Sequence, residues 1–219
     1  WNRSGFTGVT PSSAYDSDTL WNYEVGVRTS WLDNRITANA VAYYIDWSDI
    51  QLSAWDALAQ ANRVQNVASA DIFGLETEVR YQPSENLQLS MNYSYIDASL
   101  AEDYLDTSTT PAEVIAAEGT RLPGSSKHAL SLFVDWHKSL TSGLDLLVNA
   151  NYRYVSSRPN VLGSFVSLAT PFPDDIPSAD TVNLSAGLKH DNGVTVSLFA
   201  NNLFDARDLQ TRLQIGATQ

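Results

Sequence analysis

The chain has no cysteine in its 219 residues. Without thiols, a disulfide-stapled secreted domain and a cysteine-based zinc site are both excluded. Basic residues are scarce: 13 Lys and Arg stand against 25 Asp and Glu, for a net charge of -12. No basic stripe exists to displace counterions from phosphates, so nucleic acid is not a partner. No run of about eighteen apolar residues occurs, so no helix crosses a membrane. The three histidines, His128, His137 and His190, are dispersed, with no pair at metal-ligand spacing. No serine is singled out by a Ser-His-Asp arrangement, and no glycine-rich phosphate loop opens a helix. The sequence therefore offers no catalytic residue, no metal site and no cofactor, and it does not read as an enzyme.

What the chain does have is alternation. Phe73, Leu75, Val79 and Tyr81 interleave with Gly74, Glu76, Glu78 and Arg80. After Pro83-Ser84-Glu85-Asn86, Leu87, Leu89, Met91, Tyr93 and Tyr95 interleave with Gln88, Ser90, Asn92 and Ser94. Successive side chains of a strand point to opposite faces, so each segment has one oily wall and one wet wall. Segments near Trp21 to Trp31, Ile36 to Ile50, Lys127 to His137 and Leu144 to Tyr154 repeat the pattern, as do those beginning at Val182 and Val194. The reading is about eight strands. Short turns near Asp33, Ser84, Thr141 and Asn192 alternate with long loops at about Ser53 to Ala70, Ser99 to Ser126 and Ser156 to Ala179. The turn at Asn192-Gly193 is the strongest hairpin signal.

A soluble β-sandwich also alternates, but its strands average about five or six residues. These are nearly twice as long. Trp31, Tyr81 and Trp136 lie beside short turns, and Trp21, Tyr23, Tyr95 and Tyr154 lie toward long loops. Amphipathic rings at both strand ends suit two membrane–water interfaces. The mildly polar mean hydropathy of -0.20 fits, because only one face of each strand meets lipid. The expected fold is all-β: an antiparallel, up-and-down transmembrane β-barrel. Phe73, Leu75, Val79, Tyr81, Leu87, Leu89, Met91 and Tyr93 are expected outside, with Glu76, Glu78, Arg80, Gln88, Ser90 and Asn92 inside. The short turns are expected in the periplasm and the long loops outside the cell. In Tyr43-Tyr44-Ile45-Asp46-Trp47 the alternation blurs, which reads as a bulge or an aromatic girdle.

Candidate chemistry is thin. Glu76 and Glu78 share a face and pair with Arg80 in sequence; mid-strand carboxylates of this kind read as a lumen wall of ion pairs and hydrogen bonds rather than an acid–base pair. Trp55, Arg63, Arg121 and Arg158 fall in loops, where ligand contact and simple loop packing are both open. The acidic loop with Glu102, Asp103, Asp106, Glu113 and Glu118 disfavours a strongly anionic ligand. No substrate-binding residue is assigned.

An ordered set of segments resembles the TonB-dependent outer-membrane receptors. Asp18-Thr19-Leu20-Trp21-Asn22-Tyr23-Glu24-Val25-Gly26 is similar to a strand opening late in those barrels. Arg35 to Trp47 with Ile50-Gln51 is similar to the next strand. Gly74-Leu75-Glu76-Thr77-Glu78 matches the family's glycine-then-alternating-glutamate strand, and Asn201-Asn202-Leu203-Phe204-Asp205 resembles the segment before its last strand.

The resemblance implies active uptake of a scarce ligand, an iron–siderophore complex by default, across a Gram-negative outer membrane. The implied partners are outer-membrane lipid, a plug domain and further barrel strands, a small ligand such as a metal chelate, and the TonB complex. On this reading, residues 1–219 are the C-terminal part of a barrel, with the plug domain, the TonB box and the closing strand absent. Eight strands can also close on themselves. A complete small barrel acting as a structural protein or adhesin is therefore the alternative, and an eight-stranded membrane enzyme lacks a catalytic cluster here.

Overall fold

The computed structural model describes residues 15–56, 61–66, 68–106, 111–160, 162 and 175–210. Among them there is no helix. In chain order the strands are β1 (Thr19–Trp31), β2 (Ile36–Ser48), β3 (Gln51–Asp56), β4 (Ala61–Asn66), β5 (Ala70–Ser84), β6 (Leu87–Leu100) and β7 (Tyr104–Asp106). Then come β8 (Glu113–Ala116), β9 (His128–Thr141), β10 (Leu144–Val155), β11 (Arg158–Pro159), β12 (Asp175–Ile176), β13 (Ala179–His190) and β14 (Thr195–Ala200).

Eight of them form one antiparallel meander in the order β1-β2-β5-β6-β9-β10-β13-β14. β1 and β14 are its edges, and among the described residues no pairing joins them. The eight strands thus make an open sheet, not the small closed barrel of the alternative reading. The remaining strands pair as β3-β4, β7-β8 and β11-β12. Each of the three long loops therefore carries a two-stranded ribbon, where the sequence reading expected only loop.

Register puts the faces where alternation predicts. Val79, opposite Ala38 and Met91, shares a face with Tyr81, Leu75 and Phe73. Glu78, opposite Asn39 and Asn92, and Glu76, opposite Val41 and Ser94, share the other. That second face lines a recess, which marks it as concave and inward. On the outward face, Trp31, Ile36 and Tyr81 stand side by side near the short turns, and Tyr23, Tyr44 and Phe73 stand side by side toward the loops. Phe73 meets Tyr95 edge to face, with ring centroids 6.3 Å apart.

The short turns are built from residues that accept the required backbone. His190 N donates to Val194 O and Gly193 N donates to His190 O, with Gly193 at φ 91°. Asn192 stays at negative φ, so the hairpin uses a left-handed glycine after an ordinary turn. The β5–β6 register slips between Tyr81 and Ser84, around Pro83, which has no N–H to donate to the ladder. Gly74 has a different reason: the Tyr43 ring lies across it, so close that a Cβ there would sit 1.9 Å from Tyr43 Cζ.

The core is not in the middle of the sheet. It sits at the loop end, where Ala70, Ala98 and Leu100 from the inward faces of β5 and β6 meet Ile50, Ala68, Tyr104, Ala116 and Leu122 from the loops. Trp47, Ile72 and Ile96 pack against this cluster from the same inward face. The register of β2 runs unbroken against β1 and β5 through this region. The blurred alternation at Tyr43 to Trp47 is therefore not a bulge: Ile45 and Trp47 turn inward, and Trp47 joins the loop core.

Candidate functional site

The inward face of β1, β2, β5 and β6 surrounds an open recess of about 670 Å³, lined by Glu24, Arg28, Asn39, Glu76, Glu78 and Asn92 among others. These side chains converge because strand pairing places Arg28 opposite Asn39, Asn39 opposite Glu78, and Glu78 opposite Asn92. Asn39 Nδ2 donates to Glu78 Oε2 at 3.2 Å. Among the described residues, Glu24 and Glu76 have no hydrogen-bond or ion-pair partner. The expected ion pair with Arg80 is not formed either; the ion pairs of the described residues are Lys127–Asp97, Arg158–Asp208 and Arg207–Asp205. Arg80 lies beyond Glu78 toward the short turn, exposed like its neighbours. The wall holds hydrogen bonds as expected, and its Glu24 and Glu76 carboxylates are open to a partner.

The inward face of β9, β10 and β13 differs in chemistry. Asn149 Nδ2 donates to Asp135, and Ser185 Oγ donates to Asn149 Oδ1 at 3.3 Å. Asn183 Nδ2 donates to Asn151 Oδ1 at 3.3 Å, and Asn151 Nδ2 to the Leu132 carbonyl at 3.2 Å. Amides and hydroxyls here satisfy one another across the strands.

The loop residues weighed from sequence are mostly engaged within the loops. Arg121 Nη2 donates to Ser125 O at 2.8 Å. Arg158 Nη2 donates to Leu209 O at 3.0 Å, tying the loop after β10 to the chain after β14. Ser69 N donates to Glu102 Oε1 at 3.0 Å, and Glu118 N to Asp103 Oδ1 at 2.7 Å. Trp55 and Arg63 lie on the backbones of β3 and β4, and their side chains fall outside the described ones, as does that of Asp106 and the loop around Thr170. The histidines are not brought together. His128 faces outward against Tyr93 Oη at 2.9 Å, His190 accepts from Asn192 N at the last short turn, and His137 lies on the inward face. Among the described residues no group of three or more acidic or histidine side chains is placed to hold a metal ion.

Asn201-Asn202-Leu203-Phe204-Asp205 proves to be a backbone device. Asn202, at φ 51°, accepts from Ala206 N at 2.8 Å and donates to Ala206 O at 2.9 Å through one side chain. Its own N–H donates to Asn183 Oδ1 at 2.8 Å. The motif closes the chain after β14 against β13.

On the outward face, large apolar side chains stand exposed, such as Val25, Leu188 and Leu198. A continuous apolar wall of this extent has no place in water and marks a membrane or partner surface. Taken together, the site is a wall with an apolar outward face and a polar inward face rich in carboxylates.

Comparison with known proteins places this wall. A family model described as TonB dependent receptor-like, beta-barrel, matches residues 2–203. The metal-pseudopaline receptor CntO of Pseudomonas aeruginosa is 26% identical over 196 residues, covering 89% of this chain and 25% of the receptor. The chain thus spans about a quarter of the length of that curated relative. Among solved structures, the ferric yersiniabactin uptake receptor FyuA from Yersinia pestis superposes with a TM-score of 0.69 at 19% identity, over 93% of this chain and 28% of that one. The ferric-catecholate import receptor Fiu from K12 E. coli superposes with a TM-score of 0.66 at 17% identity, over 95% and 26%.

Proposed function

From the premise that this chain belongs to the TonB-dependent receptor family, whose barrels lie in Gram-negative outer membranes, we propose that it is the C-terminal part of a barrel that takes up a metal chelate. An iron–siderophore complex is the first candidate. The observation that carries the reading is the two-sided wall: an outward apolar band between two aromatic rows, backed by an inward wall with unpartnered carboxylates. Such a face needs lipid outside and a protein or aqueous interior inside. A plug domain elsewhere in the receptor supplies that interior, and the TonB complex supplies energy through it. The work is binding and transport, without catalysis. The relatives named for metal-pseudopaline, ferric yersiniabactin and ferric catecholate support a metal chelate as cargo. They differ in chelate, so the chelating group stays open. The short turns face the periplasm and the ribboned loops face the ligand.

The test uses the full-length receptor in cells lacking other routes for iron. Radioiron is supplied as ferric hydroxamate, catecholate and carboxylate chelates, with and without TonB. TonB-dependent uptake of at least one is expected. Deleting Glu102 to Glu118 is expected to weaken that uptake with the barrel still inserted. Absence of TonB-dependent uptake across these chelates, cobalamin and sugars overturns the reading.

A further inference from the structure

The two halves of the inward face differ in three independent ways, and the differences agree. On β1, β2, β5 and β6 the wall carries Glu24, Glu76 and Glu78 together with Arg28 and Arg80, and of these Glu24, Glu76, Arg28 and Arg80 have no hydrogen-bond or ion-pair partner among the described residues. On β9, β10 and β13 the middle of the wall is a chain of neutral groups, Asn149, Asn151, Asn183 and Ser185, each hydrogen-bonded to a neighbouring strand. The charged groups flanking that chain are Asp135, whose carboxylate is engaged by Asn149; Asp145 and Lys189, opposite each other toward the short turns; and Arg153, an exposed cation toward the loop end. Finally, the apolar loop core seats on the inward ends of β5 and β6, with Trp47 of β2 against it, so a roof of packed loop lies over the carboxylate half.

We propose that the chelate's path through the barrel follows the amide wall of β9, β10 and β13, and not the carboxylate wall. The inference rests on the uptake reading above. Charged side chains that stand exposed and without partners on an open wall attract oppositely charged groups of an interior domain. A wall of unpaired charges of both signs grips the interior domain rather than leaving a free surface. Amides that satisfy one another exert no such attraction. They leave a polar surface that water and a hydrated chelate can slide along without breaking a protein–protein hydrogen bond. Arg153 adds a single attractive charge near the entry side. The packed roof blocks direct descent from outside onto β5 and β6.

The test is a matched pair of near-isosteric variants, Ser185→Cys on the amide half and Ser94→Cys opposite Glu76, each in a full-length, otherwise cysteine-free receptor. A membrane-impermeant sulfonated maleimide is added to intact cells, with the ferric chelate that the cells take up, with and without a protonophore. Ser94 and Ser185 each lie six residues from the loop end of their strands, so passive access does not favour either. Energised transport is expected to speed labelling of S185C several-fold and to leave S94C unchanged. Equal acceleration at both sites, acceleration at S94C alone, or none at either overturns the path. Radioiron uptake by the same cells separates the two failures. Uptake with the wrong labelling pattern removes only the path, and loss of TonB-dependent uptake in the parent removes the transport reading itself.

Discussion

Along β5 the outward side chains run Tyr81, Val79, Thr77, Leu75 and Phe73, and then change to Asp71; the inward ones run Arg80, Glu78 and Glu76, and then change to Gly74, Ile72 and Ala70. β6 does the same: Leu89, Met91, Tyr93 and Tyr95 give way to Asp97 outside, and Asn92 and Ser94 give way to Ile96, Ala98 and Leu100 inside. β2 follows, with Tyr44 then Asp46 outside and Ile45 then Trp47 inside. The lower stretch is oily outside and wet inside. The mouth is wet outside and oily inside. The lower outward band, Phe73 to Tyr81, spans about nine residues, within the roughly 9–11 that a tilted strand needs to cross a bilayer. The inversion therefore marks where lipid ends. Below it the strands face hydrocarbon; above it they stand in water and use the barrel's inside as the core on which the loops fold. At the crossover, Tyr44 Oη donates to Asp71 and Tyr95 Oη donates to Asp97, as rings whose bodies face lipid and whose hydroxyls reach water do.

The largest expected effect tests the mouth. Leu100 is 2% exposed in the loop core. Leu100→Ala removes buried methyl groups and leaves a cavity, at a cost of about 2–5 kcal/mol. Because the loops open locally, this cost appears as faster proteolytic nicking between Glu102 and Glu118 in the full-length receptor, with the barrel still inserted. Nicking at the parental rate breaks the claim that the loops share one core.

The second tests the band. Met91 points outward near its middle, opposite Val79 and Leu132. Met91→Arg is expected to destabilise the refolded receptor by about 2–4 kcal/mol in lipid vesicles, the cost of a cation near the bilayer midplane. Asp71→Arg, above the inversion, is expected to cost about 0–1 kcal/mol, as near the interface. Equal costs would mean that the inversion is not the lipid boundary.

The third sharpens the inward face where it changes character. A methyl at Gly74 collides with the Tyr43 ring, so Gly74→Ala forces the ring off the strand and costs about 1–3 kcal/mol by overpacking. Tyr43→Leu in the same receptor is expected to recover part of the loss. Additive losses in a double-mutant cycle would show that the ring's cover over Gly74 is not the reason for glycine there.

How much of this was legible follows from the same inversion. In Phe73 to Tyr81 and Leu87 to Tyr95 the period-two pattern holds one polarity, so strands, register and faces could be read directly. At Tyr43 to Trp47 the pattern keeps its period but swaps polarity, and swapped alternation looks like noise until it is known what lies inside. Ile50, Ala68, Tyr104 and Leu122 are the missing information: apolar residues in polar loops, separated widely in sequence, which only the fold brings onto β5 and β6. The same distance hid the loop roles of Arg158 and Glu102, while Arg121 is held by its near neighbour Ser125. Each side chain is typical of a ligand site, and each is engaged by a backbone group, for Arg158 and Glu102 one far away in sequence. The division of the inward wall into a carboxylate half and an amide half was on the page as residue types. Which groups are left without partners is a matter of distances, and no pattern supplies those.

The smallest expected effect is the most discriminating. Lys127 Nζ lies 2.8 Å from Asp97 Oδ1, just above the inversion, with side chains 36% and 39% exposed. Removing the cation by Lys127→Met leaves Asp97 with only the Tyr95 hydroxyl. If Asp97 stands in water, that costs about 0–1 kcal/mol, as for exposed ion pairs, and fades with added salt. If the lipid boundary ran higher and Asp97 faced hydrocarbon, stranding its charge would cost about 3–5 kcal/mol and salt would make little difference. Unfolding of the refolded receptor in vesicles at low and high salt separates the two. The expected result is a small loss at low salt that disappears at high salt. A large, salt-insensitive loss would move the membrane surface above Asp97 and undo the division between band and mouth on β6.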